Sequence, residues 1–510
     1  MAGLLKILSP AQIKEADEFT IKQEPVSAVD LMERAAGKCV EWLTGHFSTD
    51  RHMVICCGLG NNGGDGLVIG RRLKQLGYNV RVYILRHSEQ LSSGFSVNEQ
   101  RLRRAAGDCV TDLYKEEDFP RIYKEDIVID ALFGIGLTRP LEGLPASLCH
   151  HINTSGATII SIDMPSGLFA SAHTPDISAV IHASYTLTFQ CPKLAFMFPE
   201  NEERVGKWVI LDIGLSPAFI KELDADAFLL SQSYISGFIK PRKKFSHKGT
   251  FGHALLIAGK YGSMGAAVMG ARACLRSGVG LLTVHVPSSG VNIIQTSVPE
   301  AMVSADEYDK EFSSLPDISR FRTIGIGPGT GTSVSAAKAL EQLLDQSPGP
   351  MVLDADAINI ISRDRHLIGK IPAGSILTPH PGEFERLIGQ SVDNFERHHL
   401  QKKFSADHAF YMLLKGAHSC LTTPEGKSYF NCTGNPGMAK GGSGDVLTGI
   451  LTALMAQGYT SLETGLLGMY VHGLAGDLAK EKTGEISMIA SDIIEALPEA
   501  FIRVATSQAL

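Results

Sequence analysis

The chain has 510 residues, 44% of them hydrophobic and 20% charged, so either half can bury a core and two or three domains are expected. Its formal net charge of −7 excludes a whole-protein field that would draw in nucleic acid or an anionic membrane. Nine scattered cysteines, none in a C-x-x-C spacing, speak against a disulfide framework or zinc ribbon and for a reducing cytoplasm. The first ten residues are too weakly apolar for a signal peptide, and no run of about 18 apolar residues predicts a membrane span.

Ser9-Pro10 forms an N-cap and N1 pair for a first helix, and a second helix is predicted from Val29 towards Trp42. Strand and helix signals then alternate. Met53–Cys57 reads as a strand, Leu67–Leu76 as a helix, and Asn79–Leu85, Ile127–Ile129 and Thr158–Ile162 as strands, with further strands at Tyr185–Phe189 and Trp208–Leu211. The pattern lapses between Ser216 and Ser246, which places a boundary near residue 225. It resumes with strands at Ala254–Ala258, Leu281–Val286, Thr323–Ile326, Met351–Leu353, Ser375–Leu377 and Phe410–Leu414, a hairpin over Ser419–Asn431, and a helix through Val446–Met455. Such alternation predicts two α/β domains, 1–225 and 226–510, each with a mostly parallel sheet covered by helices. The basic cluster Lys240–Lys248 is as readily a solvated linker as a phosphate contact.

Two glycine-rich segments lie about 380 residues apart, Gly58–Gly66 and Gly434–Asp445, each between a strand signal and a helix signal. That unit aims bare N–H groups and a helix dipole at an anion, so two phosphate-handling sites are expected. In the first half, three strands lead into polar residues: Asn61, Asn62 and Asp65; Asp130; and Asp163 followed by Ser166. Strand ends meeting at one crevice would form an oxygen-rich pocket suited to a hard cation. The plainer readings are a weak G-x-G-x-x-G dinucleotide pattern and turn or cap aspartates. Arg86 and His87 stand where a dinucleotide fold wants an acid, which disfavours an ordinary dehydrogenase.

The longer string Gly60–Gly66, with Asp130-Ala131-Leu132-Phe133-Gly134, Asp163-Met164-Pro165-Ser166-Gly167 and Leu31–Gly37, closely resembles the NAD(P)H-hydrate epimerase family over most of residues 10–215. The resemblance implies a Rossmann-like fold. It implies that Asn61, Asn62, Gly63, Gly64, Asp65, Gly134, Ile135, Gly136, Leu137, Thr138, Arg139 and Pro140 hold the substrate. It implies that Asn62, Asp130 and Ser166 coordinate potassium, that Asp163 sits at the reacting carbon and that Lys193 is a catalytic neighbour.

The second half has no Walker A motif: five positions before Gly426-Lys427-Ser428 stands Leu421, not glycine. Gly441-Gly442-Ser443-Gly444 instead supplies N–H groups at a helix start, an anion hole, and Asp445 follows as either a helix cap or a general base. The string Asn435–Asp445 closely resembles the ribokinase-like superfamily in its NAD(P)H-hydrate dehydratase branch. Ser246–His253, Gly325–Gly331, Leu353–Asn359, Thr378–Glu383 and Lys415–Ser419 extend the match over nearly all of 230–505. By that resemblance Lys415, Gly416, Ala417, His418, Ser419 and Gly444 bind ADP, with Mg2+. Ala266, Gly329, His380 and Asp445 line the hydrate site.

Together the resemblances imply repair of hydrated nicotinamide cofactors. One half interconverts R and S NAD(P)HX. The other dehydrates the S form at the expense of ADP, giving AMP and phosphate. The expected partners are these small molecules and further copies of the chain, in the cytoplasm, with no nucleic acid or membrane. A small-molecule kinase fused to a nucleotide-binding module, a non-catalytic first half and a dehydrogenase are the alternatives.

Overall fold

In the computed structural model, which describes residues 3–506, the alternating signals resolve into two sheets. Among the described residues, 6–225 form one unit, and 226–506 form the other together with 3–5.

The first unit is built on seven parallel strands in the order Val110–Leu113, Asn79–Leu85, His52–Cys57, Ile127–Ala131, Thr158–Ile162, Tyr185–Phe189, Lys207–Leu211. Alternate residues of His52–Cys57 enter different cores: Met53, Ile55 and Cys57 one, Val54 and Cys56 the other. Both sheet faces are thus covered, which is why this strand reads as a continuous apolar run. The chain winds outwards in both directions from the seam between His52–Cys57 and Ile127–Ala131, so the seam is a topological switch point.

The second unit's sheet runs Ala227–Leu229, Ser428–Asn431, Ser419–Thr422, Tyr411–Leu414, Ile376–Leu377, Val352–Leu353, Thr323–Ile326, His253–Ile257, Leu281–Val286, Met302–Ala305. Its centre is parallel, and Tyr411–Leu414, Ser419–Thr422 and Ser428–Asn431 pair antiparallel as the expected hairpin. The switch point here lies between His253–Ile257 and Thr323–Ile326. Among the described residues no helix is long and apolar enough to cross a membrane.

One helix departs from its sequence reading. Predicted from Leu67, it begins at Asn61, inside the glycine run. Packing overrides the weak helical propensity of glycine. A Cβ on Gly63 would lie 1.9 Å from the Gly58 carbonyl oxygen, and one on Gly66 2.6 Å from Ala131 Cβ. The glycines let this helix close onto the strands.

Candidate active sites

The carboxyl edge of the first sheet opens into a cavity of about 900 Å³ beside its switch point. Of the expected substrate residues, Asn61, Asn62, Asp65, Gly134, Ile135, Gly136, Leu137 and Asp163 line it. Gly63 and Gly64 do not: they turn inwards, where a Cβ on Gly64 would meet Met32 Sδ at 2.6 Å. Thr138, Arg139 and Pro140 are exposed beyond the lining. His87, after the strand Asn79–Leu85, packs against Phe133 at 5.3 Å between ring centroids, and both line the cavity.

Asp130 and Ser166 lie one layer behind this wall, both fully buried. The Asp130 carboxylate accepts from Ser166 Oγ (2.5 Å), Ser166 N (2.9 Å), Ser161 Oγ (2.7 Å) and Leu132 N (3.2 Å). Burial raises its pKa and these bonds oppose the rise. Ser166 Oγ also meets the Phe133 carbonyl at 3.2 Å. Asn62 is buried with its amide nitrogen unpartnered, and its side chain packs under Gly134. The Asp130 carboxylate, the Ser166 hydroxyl and the Phe133 carbonyl bring together oxygens of the kind a hard cation takes, and Asn62 would add an oxygen only with its amide turned over, since the unpartnered atom is the nitrogen.

Asp163 follows its strand in the left-handed region, φ +62°. A non-glycine residue held there is strained, a feature that clusters at functional sites. Its carboxylate accepts from Phe189 N at 3.1 Å and pairs with Lys193 Nζ at 2.9 Å. Lys193 is 1% exposed and also donates to Thr188 Oγ1 and to the carbonyls of Phe189 and Cys191. All its donors are therefore used within the protein, and the lysine positions Asp163. Asp65 has no such partner. Burial, then the charges of Asp163 and Asp17, push its carboxyl far above the ordinary range. Asp17, which sequence reasoning missed, lines the same cavity from the helix Pro10–Gln23.

In the second unit, Gly442 adopts φ +97° and starts the helix Ser443–Ala456 without a side-chain cap. Asp445 lies in its first turn, and its carboxylate has no hydrogen-bond partner among the described residues. The capping reading therefore loses its observation. Burial, then the neighbouring charge of Asp354, raises Asp445 to about 6, against the pull of Lys415. Lys415 Nζ reaches Asp354 Oδ1 at 2.8 Å, Asp354 Oδ2 accepts from Thr448 Oγ1 at 2.7 Å, and Glu383 lies 4.0 Å from the lysine. A Cβ on Gly444 would stand 3.4 Å from that amine, so Lys415 reaches the glycine helix start itself. Burial works against its charge, but Asp354, Glu383 and Asp445 hold its pKa above the ordinary value.

Gly329, at φ +63°, lies against Ala266: a Cβ there would be 3.3 Å from the Ala266 Cβ. The neighbouring Gly331 N donates to Asp356. His380 has a structural task. Its Nδ1 accepts from Gly382 N and Glu383 N, capping the helix Pro381–Leu387, and leaves Nε2 near Glu383. Gly416 and Ala417 are exposed in the turn between two strands, with His418 and Ser419 half-buried beside them. Beside the glycine helix start, half-buried His472, pushed down to about 4 by desolvation, meets Ser443 Oγ at 3.3 Å.

Asp354 also carried a readable signal. It ends an apolar strand as Asp130 and Asp163 do. Among the described residues, no group of three or more His, Cys, Asp or Glu side chains is placed to hold a metal. A divalent ion here would need phosphate oxygens beside one or two of the carboxylates Asp354, Asp356 and Asp445, which is how Mg2+ usually binds.

Two family models match the chain. One, described as YjeF-related protein N-terminus, covers residues 28–195, and the other, described as NAD(P)H-hydrate dehydratase, covers 254–499. A bifunctional NAD(P)H-hydrate repair enzyme of Moorella thermoacetica is 32% identical, over 96% of this chain and 96% of that one. Its counterpart in Escherichia coli K12 is 31% identical, over 92% and 88%. A solved ADP/ATP-dependent NAD(P)H-hydrate dehydratase of Bacillus subtilis, co-crystallised with ATP and Mg2+, is 30% identical, over 54% of this chain and 97% of that one, at a TM-score of 0.48.

Proposed function

Since the chain belongs to the bifunctional NAD(P)H-hydrate repair enzyme family, we propose that its two units divide the work, residues 1–225 epimerising the hydrate and residues 226–510 dehydrating the S epimer with ADP. The observation that carries this reading is the unpartnered Asp445 beside Lys415, at a glycine helix start.

Hydroxide is a poor leaving group, and phosphorylation makes it a good one. Asp445 takes the proton of the substrate hydroxyl as that oxygen attacks the β-phosphorus of ADP. The N–H groups of Gly441, Gly442, Ser443 and Gly444 hold the transferring phosphoryl, and Lys415 neutralises it from the side of Asp354. Phosphate then leaves with the C–O electron pair, the neighbouring ring carbon gives up a proton to water, the ring double bond returns, and AMP and phosphate are released. Ala266 and Gly329 give the ring a wall without bulk, while Lys415–Ser419 hold the nucleotide. Mg2+, when bound, would offset phosphate charge beside Asp354, Asp356 and Asp445.

In the first unit the hydroxyl-bearing carbon is bonded to the ring nitrogen. Losing the hydroxyl leaves a C=N cation, and water can return to either face. Asp163, held by Lys193, places a carboxylate at that cation, with Asn61, Asn62 and Asp65 around the ring. Potassium, when bound by Asn62, Asp130 and Ser166, would add positive charge behind the Gly134–Leu137 loop.

The test is stoichiometric. S-hydrate and ADP should yield NAD(P)H, AMP and phosphate in equal amounts. A stable phosphoester of the hydrate, or of an unrelated alcohol, would favour the kinase reading instead.

A further inference from the structure

Epimerisation at a carbon between nitrogen and oxygen needs a proton donor where hydroxyl leaves and an acceptor where water returns. Those events occur on opposite faces of a planar cation. Asp163 is one such group, and its position is fixed by Lys193 and Phe189 N. A second must approach from another wall.

The helix Pro10–Gln23 forms such a wall. Pro10, Ile13, Lys14 and Asp17 line the cavity at spacings of three and four residues, one face of the helix. The helix is anchored from behind. Ala16 packs with Leu31, Ala35, Ile213 and Leu215, and Phe19 stacks on Phe219 at 4.2 Å. Asp17 therefore stands on a rigid element, yet its carboxylate has no hydrogen-bond or ion-pair partner among the described residues. The buried, unpartnered amide nitrogen of Asn62 belongs to the same cavity and independently marks an incomplete polar site.

Resting on the assignment of epimerisation to this unit, we propose that Asp17 is the second acid–base group of the reaction, serving the ring face that Asp163 does not. In one direction the Asp17 carboxylic acid protonates the departing hydroxyl. The C–O bond breaks, the nitrogen lone pair forms the C=N bond, and water leaves. A second water then adds to the other face, its electrons closing the C–O bond and returning the C=N pair to nitrogen, while Asp163 takes its proton. The reverse direction exchanges the roles, so no oxidant or external acid is needed. The electrostatics fit. Burial, then the charge of Asp163, lifts Asp17 to about 6 although Lys193 opposes it. The charged groups around it are Asp65, Asp163 and Lys193 across the cavity, with Lys14 and Glu18 on its own helix.

The working enzyme form carries a proton on one of the pair only. Its kcat/KM in either direction should therefore fall as pH rises through the titration of Asp17. The experiment compares the full chain with Asp17→Asn, Asp17→Glu and Asp65→Asn, using R-NADHX or S-NADHX without nucleotide. Asp17→Asn should lower kcat by roughly 10²–10⁴-fold with little change in KM and abolish the falling pH limb. Asp17→Glu should restore part of the rate and the limb. An unchanged melting temperature and circular dichroism spectrum show that the Asp17 variants are folded, and unchanged ADP-dependent dehydration of the S epimer shows that the second unit is untouched. In water enriched in 18O, every wild-type turnover should place solvent oxygen on the substrate. A near wild-type rate and pH profile in Asp17→Asn would overturn the proposal, more so beside a dead Asp65→Asn, and so would retention of the original oxygen. If wild-type protein itself does not epimerise, the assignment of the unit fails rather than the role of Asp17.

Discussion

The two glycine-rich helix starts look alike as sequence and do different physical work. In the first, Gly63, Gly64 and Gly66 are each blocked at under 3 Å by Gly58, Met32 or Ala131, so their lack of a side chain serves packing; only Gly60 is open. In the second, Gly437 and Gly442 are blocked in the same way, by Glu485 and by Met269 and Ala490, but Gly441 has nothing within 4 Å of its Cβ position and Gly444 faces only Lys415 and Asp354, so at these two the missing side chain leaves room for a ligand. The acids differ to match. Asp163 is held by a buried lysine and by Phe189 N, which fixes it at the reacting carbon, where it steadies the cation and takes the proton of the returning water. Asp445 is left without a partner, which suits one that takes a proton. A glycine before a helix can therefore serve packing or leave space for a ligand, and the two segments differ in which glycines do which.

The sharpest way to break this contrast is Asp445→Asn. Dehydration should fall by roughly 10²–10⁴-fold or more, with nucleotide binding by calorimetry and epimerisation both retained. Near wild-type turnover would remove Asp445 as the base.

Asp130→Ala tests the other unit. It strips four donors of their acceptor, in a layer where each unmet donor costs about 1–3 kcal/mol. Epimerisation and its potassium dependence should be lost and thermal stability should fall, while dehydration of the S epimer continues. Equal loss of both activities, with both units folded, would end the separation of sites.

The pH profile sharpens the comparison further. A base must be ionised, and Asp445 sits at about 6, so kcat/KM for dehydration should drop about tenfold per unit below that pH and level off above it. A profile flat from pH 5 to 8 would argue for another base.

The smallest effects come from the glycines themselves. Gly66→Ala should lower stability by about 1–3 kcal/mol through overpacking against Ala131 and Cys57, whereas Gly441→Ala should leave the melting temperature unchanged and weaken nucleotide binding. Similar melting temperatures in both variants would erase the distinction between packing and ligand-facing glycines.

Much of this was legible in the sequence, and the misses have physical causes. The central strands are covered on both faces and read as apolar runs, so their extents match closely. Edge strands such as Val110–Leu113 and Met302–Ala305 carry polar residues and no such run, and they went unread. The helix start at Asn61 was hidden because glycine signals a loop locally, while the reason for it lies in Met32 and Ala131, distant in sequence. Asp17 looks like an ordinary polar residue of an amphipathic helix. Only the folding of that helix over the strand ends brings it to Asp163 and Lys193. The Asn61–Asp65 motif was readable because it joins a strand end to a helix start at the switch point, Asp163 because it ends an apolar strand, and Asp445 because it follows a glycine run in the first turn of a helix.

The most direct test of two sites with separate tasks is to give mixed R and S NADHX, with ADP, to the full chain and to Asp163→Asn. The wild type should return all of the hydrate to NADH. Asp163→Asn should convert the S share at the wild-type rate and then stall, apart from slow spontaneous epimerisation. Rapid, complete conversion by Asp163→Asn, or loss of S conversion in it, would contradict the division of labour between the two units.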